Sequence, residues 1–98
     1  MTNDEKEALI KTMTDNLSLL RSILELSQEE LASLLGVTRQ TVSSFESHQR
    51  KMTWSVFLAL ILIFFRNEPT KKLLLALNIY TPALNDYLNI SKNRSGGN

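Results

Sequence analysis

From Thr38 to Ser47 the chain reads TRQTVSSFES, a stretch rich in neutral hydrogen-bonding groups with one cation, Arg39, and one acid, Glu46. Wound as a helix, Val42 and Phe45 turn to one side. Arg39, Gln40, Thr41, Ser43, Ser44 and Ser47 are left on the other. An arginine can make a forked contact to guanine and a glutamine can do the same to adenine, each worth about 1 to 3 kcal/mol of discrimination. The short hydroxyls of Thr38, Thr41, Ser43 and Ser44 suit phosphates, a thymine methyl or water. Such a surface recognises; it does not make or break bonds.

Catalytic chemistry has no comparable set. The chain lacks cysteine and has one histidine, His48, which excludes thiol nucleophiles, zinc fingers and multi-histidine metal sites. Its clustered acids, Asp4, Glu5, Glu7 and Glu29, Glu30, have no histidine beside them, and there is no glycine-rich phosphate loop. No enzyme activity, cofactor or metal is expected.

A single domain of 98 residues must position these groups. Its three glycines and two prolines are sparse, and no run alternates polar and apolar residues long enough for a strand, so the expected class is all-α, a compact bundle of five or six helices. Leu9, Ile10, Met13, Leu17, Leu20, Ile23 and Leu24 make one stripe of a long first helix from Asp4 to Glu25, with Asn3 as its cap; Thr14 and Asp15 offer an alternative restart. Ser27 and Glu30 form a capping box for a short helix from Gln28 to Leu35, and Gly36 suits its left-handed end. Thr38 caps the next helix, residues 39–47. Thr53 caps a helix running to about Arg66, and Pro69 and Pro82 open helices near Pro69 to Leu77 and Pro82 to Leu88. Residues 1–90 are read as the domain and 91–98, SKNRSGGN, as a flexible tail.

Two short helices joined by a turn that begins with glycine form a unit that fits the DNA major groove. Leu20 to Glu46 resembles the helix-turn-helix of the XRE-like family, the Cro and lambdoid-repressor type. Gln28, Leu31, Ala32, Leu35, Gly36, Val37, Thr38, Val42, Phe45 and Glu46 carry the likeness together. The resemblance implies a lambda-repressor-like fold and a sequence-specific regulator of transcription, a repressor, that binds double-stranded DNA through Thr38, Arg39, Gln40 and Ser44. It also implies that Gln28 braces a phosphate, and that Arg21 pairs with Glu46 as an architectural ion pair. Glu46 needs a cation in any case, because a negative charge at a helix carboxyl end opposes the helix dipole. Arg50 and Lys51 can add phosphate contacts that are blind to sequence. His48 stands where the family often has glycine.

The net charge is +1, but residues 31–72 hold Arg39, Arg50, Lys51, Arg66, Lys71 and Lys72 against only Glu46 and Glu68. That asymmetry leaves a basic middle for a polyanion. The first ten residues, MTNDEKEALI, lack the basic start and apolar run of an export signal, so a cytoplasmic location is expected. The run VFLALILIFF, Val56 to Phe65, is half of the roughly 20 apolar residues a membrane helix needs. No membrane span is therefore expected. Its side chains point in every direction and need cover on every face, which favours a homodimer built on helix 56–65 and the C-terminal helices. The alternative function is a protein-interaction module, an antitoxin or adaptor, that uses this apolar helix to capture another protein.

Overall fold

The computed structural model describes residues 1–90, and the expected tail at 91–98 lies outside the described residues. Six helices follow one another: α1 (Asn3–Ile23), α2 (Gln28–Leu35), α3 (Arg39–Glu46), α4 (Trp54–Phe65), α5 (Glu68–Ala76) and α6 (Pro82–Leu88). The fold is all-α, without a strand among the described residues.

Most boundaries sit where local chemistry puts them. Ser27 and Glu30 close the capping box of α2, with bonds of 3.0 and 2.8 Å, and the Thr38 and Thr53 side chains cap α3 and α4. The start of α1 differs from expectation: Thr2, not Asn3, is its cap. Thr2 has a glutamate three residues later, so Glu5 can return a bond to the Thr2 amide while the Thr2 hydroxyl accepts from the Glu5 amide. Asn3 would have met Lys6 there. The bond from the Thr2 backbone is the main reason the Glu5 carboxyl titrates below its ordinary value. That contribution is present above the ordinary carboxylate pKa and is lost as pH falls through the lower folded value. α1 does not restart at Thr14, whose hydroxyl donates to the Ile10 carbonyl at 2.8 Å within the helix. It stops at Ile23 rather than Glu25 because Glu25 is left-handed, with φ of 56°. α3 ends at Glu46, one residue short of the expected range.

The core joins all six helices. Met13, Leu17 and Leu20 of α1, Leu31 of α2, Val42 of α3, Phe57, Leu60 and Phe64 of α4, Leu74 of α5 and Leu84 of α6 are fully buried together. α4 is the shared wall. Phe57, Leu60, Ile61 and Phe64 are buried, Val56, Leu58, Ile63 and Phe65 pack against the core, and of its apolar side chains only Leu62, 61% exposed, stands largely in solvent. At its start Trp54 stacks on Phe57 with ring centroids 4.8 Å apart, and Lys6 lies over both Trp54 and Tyr87, which draws α6 toward α1. At its end the buried Thr70 hydroxyl donates to the Phe64 carbonyl at 2.6 Å and seals the turn into α5.

α1, α2, α3 and α5 close in one way. A left-handed residue turns the chain so that two successive amides reach back to carbonyls of the last turn. At α2 the residue is Gly36, φ 76°, with the Val37 amide on the Ala32 carbonyl. At α3 it is His48, φ 63°, with its own amide on Phe45 and that of Gln49 on Ser44. Histidine thus adopts the conformation that glycine favours. A non-glycine residue there carries a backbone penalty, so His48→Gly is expected to raise unfolding stability by about 0.5 to 1 kcal/mol, measured by urea titration. Gly36→Ala is expected to lower it by about 1 kcal/mol through the backbone alone, because an added Cβ meets nothing within 4 Å.

Candidate nucleic-acid interface

α2 and α3 pack more closely on each other than any other pair of helices. Leu31 and Ala32 of α2 and Val42 and Phe45 of α3 are buried in the same core, and a side chain as small as Ala32 allows close approach of two helices. With that inner face buried, Arg39 and Gln40 are exposed and Thr41, Ser43 and Ser44 are half-buried along α3.

Glu46 is the anchor of this unit. Arg21 donates to it through Nε at 2.8 Å to Oε2 and through Nη2 at 3.2 Å to Oε1, a forked contact, while its Nη1 donates to the Leu26 carbonyl at 2.8 Å. The pair is largely shielded, with side-chain exposures of 17% and 10%. The bond to Glu46 raises the guanidinium pKa above its ordinary value, against the opposing effect of burial. α1 and the end of α3 are thereby clamped.

Gln28 extends the clamp to the surface. Its Nε2 donates to Glu46 Oε1 at 2.9 Å, and its Oε1 accepts from Arg39 Nη1 at 3.2 Å. An unbroken relay therefore runs from Arg21 through Glu46 and Gln28 to Arg39. The sequence suggested a Gln28 amide aimed at a phosphate; the structure brings that amide between Glu46 and Arg39. The first turn of α2 also carries Glu29 and Glu30, which complement the positive helix end. A search for partners of Glu46 among polar residues one helix away could have flagged Gln28, but residue type alone does not choose between phosphate and carboxylate.

A second set meets at the start of α3. The Thr38 and Thr41 hydroxyls lie 2.9 Å apart, Thr38 accepts the Thr41 amide, and Arg50 Nη1 donates to Thr41 Oγ1 at 3.5 Å. Arg50 thus joins the α3 residues, while its neighbour Lys51 turns away to pair with Glu7 on α1. The sequence placed Glu7 only among the clustered acids and gave it no binding or pairing role. Its only sequence signal is the four-residue spacing of Glu7, Lys11 and Asp15, which places them on one stripe of α1. Among the described residues no three metal-ligating side chains converge, and no helix is long and apolar enough to cross a membrane.

Residues 20–53 match a family model described as helix-turn-helix, a span that runs from the last turn of α1 through α2 and α3 to the end of the loop before α4. No curated protein and no solved structure matches the chain.

Removing the Glu46 carboxylate leaves the shielded Arg21 charge and the Gln28 amide without their partner. Glu46→Ala is therefore expected to cost about 2 to 4 kcal/mol of unfolding free energy. The exposed Lys11 and Asp15 pair provides the contrast, and Lys11→Ala is expected to change stability by no more than about 0.5 kcal/mol in the same denaturant titration.

Proposed function

We propose that this chain, whose residues 20–53 are an XRE-like helix-turn-helix, is a non-enzymatic repressor that reads a specific double-stranded DNA sequence with α3 in the major groove. It works in the cytoplasm beside its DNA, and repression requires only that its site be occupied. The observation that carries this reading is the relay ending on Arg39: a long cation at the start of the exposed helix is held in one direction before DNA arrives. Arg39 and Gln40 are the base-reading residues. Thr38, Thr41, Ser43 and Ser44 take phosphates, methyls or water, and Gln28 braces the phosphate edge through its place beside Arg39. Arg50 adds the sequence-blind component, and Lys51 stands beside it as a second cation whose charge is paired with Glu7.

The reading extends to a symmetric homodimer. α3 has eight residues, a span of about 12 Å, so one copy contacts a short half-site and a second copy doubles the sequence read. The face best suited to a second copy is an apolar groove of about 370 Å³ between Leu58, Leu62 and Phe65 of α4, Tyr80 and Leu88. Leu62 and Leu88, 61% and 42% exposed, supply the side chains that a twin groove would cover. The alternative, a module that captures another protein through helix 56–65, draws less support, because it leaves the exposed polar side chains of α3 and the relay to Arg39 without a role.

Selection from random duplex DNA at fixed salt is the direct test, with a palindromic product expected and no enrichment opposing the reading. Arg39→Ala and Gln40→Ala are each expected to lose about 1 to 3 kcal/mol of discrimination at one position of the selected site, with the helical circular dichroism unchanged. Arg50→Ala is expected to weaken all sequences alike and to flatten the plot of log K against log salt by about 0.9. Leu62→Glu is expected to sediment as a monomer under conditions where the native chain is a dimer.

A further inference from the structure

The loop between α3 and α4 brings three basic side chains, His48, Arg50 and Lys51, against one stripe of α1 that carries Glu7, Lys11 and Asp15, across a cleft of about 340 Å³. The three do not share one state. Asp15 holds Lys11 at 2.9 Å, with His48 Nε2 3.8 Å from its other oxygen. Arg50 has no acidic partner within ion-pair distance among the described residues; its guanidinium leans on Thr41 of the reading helix. Lys51, the next residue, has its ammonium paired with the Glu7 carboxylate. Both members of that pair are open to solvent, 62% and 51% exposed, so the contact can be exchanged without unpacking the core.

We propose that Glu7 is a positioning residue that withholds Lys51 from DNA: its carboxylate occupies Lys51 as a backbone phosphate would, which lowers affinity for every duplex without altering which sequence is preferred. The inference rests on the DNA-binding reading above. Counterion bookkeeping gives it a distinct signature. When Lys51 leaves Glu7 for a phosphate, DNA releases a cation but the vacated carboxylate recruits one, so the net contribution to the salt slope is near zero. If Lys51 stays with Glu7, it contributes nothing. Only when Glu7 is neutral does Lys51 add its full share.

The test is equilibrium binding of the full chain to the selected duplex and to a scrambled duplex over a salt series. The native protein is compared with Glu7→Gln, Lys51→Ala and the double variant, and the thermal melting of each is recorded. Glu7→Gln is expected to tighten binding to both duplexes by about two- to five-fold at low salt, in line with the strength of an exposed ion pair. It is also expected to steepen the salt slope by about 0.9. Lys51→Ala alone is expected to leave the slope nearly unchanged, unlike Arg50→Ala, and Glu7→Gln is expected to gain nothing once Lys51 is absent. An unchanged slope in Glu7→Gln overturns the proposal, as does weaker binding with unaltered melting, which would mean that the contact holds the loop ready for DNA. An equal gain in the Lys51→Ala background also overturns it, because Glu7 would then act through general repulsion. Native protein that binds neither duplex refutes the DNA-binding reading itself. Native binding with a normal Arg50→Ala effect and a silent Glu7→Gln refutes this inference alone.

Discussion

The carboxylate of Glu46 is the constraint around which the helix-turn-helix is arranged. It sits at the end of α3, where the helix dipole disfavours a negative charge, and it is shielded from water by the helices it joins. Both costs are met by the same partners: the forked guanidinium of Arg21 from α1 and the amide of Gln28 from α2. Three helices are thereby tied at one point. The apolar face formed by Leu31, Ala32, Val42 and Phe45 supplies most of the cohesion, since each large side chain buried is worth about 1.5 to 3 kcal/mol. Hydrophobic contact is not directional, however, and can be satisfied at more than one angle. The ion pair and its amide have narrow geometry, so they select the angle.

That selection passes outward to the surface. Because the Gln28 amide gives its nitrogen to Glu46, its oxygen is presented to Arg39. A surface arginine would ordinarily sample many rotamers and lose that freedom on binding. Here part of the cost is met in folding, and a shielded ion pair steers an exposed side chain. Also at the start of α3, the Thr41 hydroxyl, itself paired with that of Thr38, accepts from Arg50, whereas Lys51 is held by a charge. Neutral and charged tethers have different consequences for a polyanion, because only the charged one leaves an uncompensated group behind when it is released.

α4 serves both halves. Its apolar side chains face too many directions for a surface helix, and neighbours cover them in turn: α1 and the helix-turn-helix on one side, and α5 with the segment leading to α6 on the other. Leu74, Ile79 and Leu84 are fully buried in that cover, while Leu88 is not. The residual groove around Leu62 is what remains after one copy has folded. It is narrower than the bare run Val56 to Phe65 suggests, because Tyr80 stacks on Phe65 with ring centroids 4.3 Å apart and closes one side.

The sequence by itself determined the helices and which side chains of α3 lie outside the core. Ser27 with Glu30, Gly36, Thr38, Thr53 and the two prolines act on amides three or four residues away, so their effects are written locally. The same logic explains the cap at Thr2: Glu5 stands at the right distance from Thr2, while Lys6 stands at that distance from Asn3. Apart from the Arg21–Glu46 pair, which the family resemblance implied, only the tertiary structure decided what the long side chains touch. Gln28 lies between Glu46 and Arg39, Lys51 reaches Glu7 from the far end of the helix-turn-helix, and all but Leu62 of the apolar run is wholly or partly covered. These contacts join residues distant in sequence, and several partners of suitable charge or polarity lie within reach of each. Residue type states what such a side chain can bind, but the packing of α1 against the loop and of α2 against α3 determines which partner is near enough.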